Sequence, residues 1–384
     1  MIKVLHVIRS LDRSIGGPVV GLSRLVSAQN ASKSIVPSIF TAQTERDHFI
    51  QRYDCSVNVI KVEDLPLRAN NNFRFFYDKN KILQNLIFNA DIIHLHMAWD
   101  YVVLKAVALA HRLNKPIILR PCGSFEDWSM GQKAYKKKLY LNSIGKKLNS
   151  ISALHFTTSF EDRHSSITQN WKANRYTIPI GVEKNSVMGG QSVKIKNLQD
   201  NKIKILFLGR LNYKKQPEKV LYTLKFLLEN SKNEFSVRFV GHGDGDYIGS
   251  LIALSKRLGV ENSVTFAGPA DSVRVTQELR DAHVFILPSL QENLSIATIE
   301  AMSHGLPVVI SNRVAIHQDV SIYEAGRVVP FGQAHYGKEV LDMFSERDLY
   351  ERMCENAVRL VSDKFSINEN CKDILQMYRD VLTR

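Results

Sequence analysis

Cysteine is scarce in this chain of 384 residues: there are four, at positions 55, 122, 354 and 371. They lie too far apart for a Cys-x-x-Cys metal site and are too few to staple a chain of this length, so a reducing compartment is expected. Long apolar runs are missing as well. No stretch reaches the ~18 residues that would span a bilayer, and the opening Met-Ile-Lys-Val-Leu-His-Val-Ile-Arg has charges inside its apolar part and no small-residue cleavage site. It reads as a first strand, and the cytoplasm is the expected location. Internal repeats and low-complexity tracts are absent, which excludes solenoids and disordered linkers. Acidic residues are deficient in one half only. Residues 1–195 carry 27 Lys+Arg against 14 Asp+Glu, whereas residues 196–384 carry 24 of each, so the net +13 belongs to the first half. Such asymmetry points to an anionic partner for one lobe.

What is present is a regular alternation. Short apolar strands are expected at 3–9, 35–41, 58–62, 91–97, 116–120, 153–158 and 176–179, with helices at 19–31, 73–88 and 101–113 among them. The pattern restarts with strands at 204–208, 236–240, 263–267, 283–287, 307–311 and 327–330, separated by helices near 218–229, 247–258, 272–281 and 295–304. Helices at 337–344, 346–364 and 367–382 follow. Parallel neighbours need a crossover, so strand–helix alternation implies parallel sheets covered on both faces. The fold class expected is α/β, two doubly wound Rossmann-like domains facing each other across a cleft. Periodicity lapses over 183–201, which sets the expected domains at 1–190 and 191–365, with 366–384 a helix returning toward the first domain.

The strongest constellation is the segment 288–307, Pro-Ser-Leu-Gln-Glu-Asn-Leu-Ser-Ile-Ala-Thr-Ile-Glu-Ala-Met-Ser-His-Gly-Leu-Pro. A strand ends at Pro288, Glu292 stands in the following loop, and Ser295 suits the N-cap of a short helix that carries Glu300 in its second turn. Amides at such a helix start, those of Asn293, Leu294 and Ser295, favour an anion such as a diphosphate. Glu300 suits two hydroxyls of a ribose. The same spacing also suits a capping Glu292 and a solvated Glu300.

Further signals follow the strands. Gly209-Arg210-Leu-Asn-Tyr-Lys214-Lys215 places cations after the first strand of the second domain, at a carboxyl edge where they would favour an anion, with Lys214 and Lys215 competing for one role. Gly16-Gly17-Pro18 opens a helix after the first strand and allows close approach of a ligand. It lacks the GxGxxG spacing of a nicotinamide-binding fold. His94 and His96 alternate on one strand, and no third ligand lies nearby in sequence to make a metal site, so a strand-end packing or acceptor-binding role is expected of them. Gly241-His-Gly243-Asp244-Gly-Asp246 contains an Asp-x-Asp triplet. Residues 132–149 form the densest basic stretch, with Lys133, Lys136, Lys137, Lys138, Lys146 and Lys147 flanking Tyr135, Leu139, Tyr140, Ile144 and Leu148 at helical spacing. That pattern suits either a helix lying on an anionic membrane or an ordinary packed surface helix.

Two glutamates with seven residues between them, followed by Ala-Met and Gly-Leu-Pro-Val-Val, closely resemble the donor-binding signature of retaining GT-B glycosyltransferases, glycosyltransferase family 4 (glycosyl transferases group 1). The resemblance extends over nearly the whole chain. It implies a retaining, metal-independent transferase moving a sugar from a nucleotide diphosphate sugar to a hydroxyl of a glycan or lipid-linked glycan, in bacterial capsule, exopolysaccharide or lipopolysaccharide synthesis. By the same resemblance Glu292 contacts the donor sugar, Asn293, Leu294 and Ser295 the phosphates, and Glu300 the ribose. Arg210 and Lys215 would neutralise the leaving diphosphate, and Gly16, Gly17, Gly209, Gly241 and Gly243 would come close to the donor. His96, Cys122, Gly123 and Ser124 would face the acceptor, with cysteine standing at 122 where many members carry histidine. No cofactor and no nucleic acid are expected, and membrane contact would be peripheral. A GT-B nucleotide-sugar epimerase is the alternative, and a basic nucleic-acid-binding protein a weaker one that leaves Glu292 and Glu300 unexplained.

Overall fold

The computed structural model describes residues 1–12, 15–43, 58–61, 72–183 and 202–383. The described chain divides into two units, Met1–Ile180 with Ile367–Arg384, and Gly181–Ser366. The boundary expected at 190/191 lies outside the described residues.

In the first unit β1 (Ile2–Ser10), β2 (Ile35–Gln43), β3 (Asn58–Lys61), β4 (Ile92–His96), β5 (Ile117–Arg120), β6 (Ala153–Phe156) and β7 (Asn174–Thr177) form one parallel sheet in the order β3-β2-β1-β4-β5-β6-β7. The central strands are apolar on both faces because helices cover both, and β4, β5 and β6 are buried at every position. The helix Tyr101–Arg112 shows how local sequence sets an element. Asp100 accepts a hydrogen bond from the Val102 N–H at its start, His111 and Arg112 complement the dipole at its end, and Val103, Leu104, Ala106, Val107 and Ala110 form the buried stripe.

The second unit repeats the plan with β8 (Lys202–Leu208), β9 (Glu234–Val240), β10 (Val264–Gly268), β11 (Val284–Leu287), β12 (Val308–Ser311) and β13 (Gly326–Val329), in the order β10-β9-β8-β11-β12-β13. The last helix, Ile367–Leu382, packs against the helix Gly17–Ala31 and so belongs to the first unit. It buries Cys371, Ile374, Met377, Tyr378 and Val381 there.

Each sheet reverses its winding once, between β1 and β4 and between β8 and β11. Crevices at such reversals, outside the carboxyl ends of the strands, are where open α/β sheets bind ligands. Among the described residues no helix is long and apolar enough to cross a membrane.

Candidate functional site

In the second unit the reversal places the loop after β8 beside the loop after β11. The two are tied together: the Leu290 N–H donates to the Lys214 carbonyl at 2.8 Å. The glycines explain how a third loop joins them. Gly209 and Gly241 hold φ of +147 and +146, and a Cβ on Gly241 would stand 2.0 Å from the Gly209 carbonyl oxygen. Gly243 pairs with Leu211 in an isolated parallel bridge, and a Cβ there would meet the Leu211 carbonyl at 2.7 Å. Gly241 and Gly243 are therefore required for backbone to meet backbone, whatever ligand lies beyond, whereas a Cβ on Gly209 would crowd the Lys215 side chain.

The central contact joins residues 77 positions apart in sequence. Lys215 Nζ lies 2.7 Å from Glu292 Oε1, with both side chains more than four-fifths buried. Burial alone would raise the Glu292 carboxyl pKa, but Lys215, Lys214 and Arg210 outweigh it and hold the carboxyl below its ordinary value. Glu292 is fixed in the backbone too, since its N–H donates to the Arg313 carbonyl and its carbonyl accepts from the Ala315 N–H. Arg210 is exposed at the mouth of the same loop. Of the two lysines, Lys215 makes the contact with Glu292, while Lys214 contributes its charge to that carboxyl and its carbonyl to the Leu290 N–H.

Asn293, Leu294 and Ser295 precede the helix Ile296–Ser303, whose fifth residue is Glu300. Ser295 occupies the N-cap position without capping. Its hydroxyl oxygen accepts instead from the Thr298 hydroxyl at 2.8 Å. The first-turn amides are thus those of Ile296, Ala297 and Thr298. Asp244 has a clear local function, accepting from the N–H groups of Asp246 and Tyr247 to start the helix Gly245–Arg257.

In the first unit Gly16 and Gly17 lie at the carboxyl end of β1, and a Cβ on either would meet no heavy atom within 4 Å. The loop after β5 is braced from within. Gly123 donates its N–H to Glu161 at 2.5 Å, and the Ser124 hydroxyl donates to the Pro121 carbonyl. Glu161, fully buried, also accepts from the Thr157 N–H and hydroxyl. Sequence inspection missed it; a carboxylate three residues after Thr158, at the start of a five-residue helix, was the available signal. Cys122 has its thiol pKa raised by burial, which argues against a thiolate nucleophile.

His94 and His96, which have no third ligand nearby in sequence, gain a third histidine through the fold: register places His6 of β1 beside His94 of β4, and the three offer ligand atoms within 4.8 Å of one another. The nitrogens are largely engaged by protein. His6 Nδ1 lies 2.8 Å from His96 Nε2, and His6 Nε2 lies 2.8 Å from Gln29 Oε1. His94 meets the Tyr378 hydroxyl at 2.8 Å and His155 Nδ1 at 3.3 Å. His6, Gln29, His155 and Tyr378 were not singled out from sequence, although a histidine inside a strand buried on both faces is itself an anomaly.

The basic helix, Ala134–Leu148, differs from the single apolar face expected of it. Tyr140 turns inward, its hydroxyl on the Ala98 carbonyl, and Leu148 is buried, whereas Tyr135 and Leu139 stand 80% and 61% exposed. Lys137 folds back onto Ser129 and over the Trp99 ring. The side chains of Ile144 and Lys146 lie outside the described residues.

Residues 191–359 match the family model of glycosyl transferases group 1. An uncharacterized 41.2 kDa protein in the cps region of Klebsiella pneumoniae is 26% identical over 78% of this chain and 81% of its own length. Alpha-monoglucosyldiacylglycerol synthase of Streptococcus pneumoniae is 26% identical over 79% of this chain and 68% of its own. Among solved structures, Anabaena HepE in complex with UDP and glucose superimposes with a TM-score of 0.77 at 14% identity, covering 99% of this chain and 100% of that one. The structural likeness shows a GT-B fold, and the match to the family model falls within the second unit.

Proposed function

We propose that the protein is a retaining glycosyltransferase that moves a sugar from a nucleotide diphosphate sugar to a hydroxyl of a glycan or lipid-linked glycan, without a metal, in bacterial polysaccharide synthesis. The observation that carries this is the buried Lys215–Glu292 pair at the second sheet's reversal, flanked by Lys214 and Arg210. Cations fixed at a strand's carboxyl edge stabilise the charge that develops as a diphosphate leaves. Glu292, kept ionised and held by Lys215, is an acceptor for sugar hydroxyls and a poor nucleophile. The bond from the anomeric carbon to the phosphate oxygen therefore breaks without an enzyme-bound intermediate. The acceptor oxygen bonds to the same face of that carbon, and its proton passes to the departing phosphate. Glu300 takes the ribose hydroxyls, and the Asp-x-Asp triplet is left to helix capping.

The acceptor is assigned to the first unit, resting on an anionic membrane from the cytoplasmic side. The helix Ala134–Leu148 supports this, with exposed Lys136 and Lys138 between exposed Tyr135 and Leu139, and with no Asp or Glu anywhere between Asp127 and Glu161. The decisive experiment is a thermal-shift panel of nucleotide diphosphates and nucleotide sugars, since a ligand of the native state raises its stability by mass action. One base and sugar should stand out, and turnover with a glycan acceptor should follow. Absence of any shift would refute the assignment, and an epimerised free sugar would replace transferase by epimerase.

A further inference from the structure

The buried histidines of the first unit are used by nothing proposed so far. We infer that a directional chain of hydrogen bonds fixes His96 as its Nε2–H tautomer, and that its bare Nδ1, together with the Nε–H of Arg120, is a site for a neutral hydroxyl of the acceptor. The ligand half of this rests on the function proposed above; the tautomer half does not.

The chain begins at a group with no choice. The Ile178 carbonyl only accepts, so His155 Nε2, 2.8 Å away, carries the proton. A neutral His155 then accepts at Nδ1, and His94 Nε2 donates to it at 3.3 Å. His94 Nδ1 is left as the acceptor for the Tyr378 hydroxyl, whose oxygen takes the Gln29 amide N–H at 2.9 Å. That orients the amide, so Gln29 Oε1 accepts from His6 Nε2–H, and His6 Nδ1 accepts from His96 Nε2–H. All four rings must be neutral for this to hold. They are fully buried, and burial lowers the pKa of each: to about 3 for His6 and His155, and well below the ordinary value for His94 and His96. Arg120 lowers each of them further.

One lone pair remains at the end of the chain. His96 Nδ1 is buried with no hydrogen-bond partner among the described residues, and so is Arg120 Nε. His96 and Arg120 are register partners on adjacent strands at the carboxyl edge. Their chemistries select the ligand. A bare lone pair repels an anion and a guanidinium repels a cation, whereas a hydroxyl donates to Nδ1 and accepts from Nε–H together. The backbone beyond both strands is held in left-handed turns at non-glycine residues, Met97 with φ +67 and Cys122 with φ +55. Strain of this kind persists only where the surrounding structure holds it, and it gathers at ligand sites. Tyr378, Gln29, His6, His94 and His155 are positioning residues, and through Tyr378 the C-terminal helix sets the chemistry of a strand on the far side of the sequence.

The test is two-bond 15N–1H correlation on the full chain labelled at histidine nitrogens, with His96 assigned by its loss in His96→Gln. Four neutral Nε2–H rings are expected at pH 7, and Tyr378→Phe should turn His96 into a mixture of tautomers. In the presence of the nucleotide diphosphate found by thermal shift, methyl glycosides of glucose, galactose, mannose and rhamnose are then titrated in. At least one should move the His96 Nδ1 signal, and Tyr378→Phe should weaken that response at least tenfold. An Nδ1–H or charged His96 in the wild type, or a His96 signal unchanged by Tyr378→Phe, would overturn the tautomer assignment. Silence toward every glycoside would overturn the hydroxyl site. A failed nucleotide panel would refute the function instead and leave the tautomer result standing.

Discussion

Lys215 and Glu292 illustrate how two charges constrain each other before any substrate arrives. Each is more than four-fifths buried, so leaving either alone is costly, and the pair holds two loops in one geometry. Lys215→Ala is therefore expected to lower turnover by roughly a hundredfold or more, since one preorganised charge is removed from the leaving group. Arg210→Ala should act similarly with less effect on folding, because Arg210 is exposed, while Lys214→Ala should be mild. Steady-state rates together with melting curves separate these effects; an essential Lys214 beside a dispensable Lys215 would reverse the roles. Glu300→Ala should leave the fold intact and weaken nucleotide diphosphate binding on the order of tenfold to a hundredfold, from the loss of roughly 1.5–3 kcal/mol in hydrogen bonds to a charged group. Calorimetry reads that directly, and an unchanged affinity removes Glu300 from the ribose.

The helix Ala134–Leu148 shows a division that periodicity alone does not reveal. Its inward residues, Tyr140 and Leu148, pack on the first unit, so the outward Tyr135 and Leu139 are surplus to folding. Each lysine near an anionic leaflet contributes on the order of 1 kcal/mol, so a few suffice for reversible attachment. Flotation with anionic vesicles at low salt should retain the wild type. Tyr135→Ser with Leu139→Ser, and separately Lys136→Gln with Lys138→Gln, should release it without changing the melting temperature. Equal attachment to neutral vesicles, or attachment indifferent to salt, would dismiss the membrane face. Lys137 is a poor choice for such a test because it is committed to Ser129 and Trp99.

At the scale of the whole molecule, the neutral histidine core makes stability depend on pH in an identifiable window. The folded values of His6 and His155, about 3, lie below the unfolded 6.5, so the unfolded chain binds more protons between those limits. Their contribution is complete above pH 6.5 and lost progressively as pH falls toward 3. At pH 5 the loss is on the order of 2 kcal/mol for a single such histidine. Glu292, with its folded pKa lowered, adds loss only in the carboxylate range. Calorimetry from pH 8 to 4 should therefore show the first unit weakening before the second, with the weakening reduced in His155→Gln. A flat profile down to pH 5 would mean that the rings titrate normally.

The alternation of strands and helices was legible in the chain because it depends on local hydrophobic period: every sheet strand was anticipated to within a few residues. The short helices Asp127–Gly131, Ser159–Arg163 and His317–Ile322 were not, since five or six residues are too few to establish a period. Glu292, Lys215, Arg210 and Glu300 could be singled out because loops after strands, at the carboxyl edge, are where such residues matter. Which lysine meets Glu292 was decided only by the fold, since it depends on how β8 and β11 come to be neighbours. The same holds more strongly for the histidines. His6, His94, His96 and His155 come from three separate strands, and Tyr378 reaches them from the last helix. Local sequence sets which way a residue faces; strand order and register set what it faces, and that is a property of the folded chain alone.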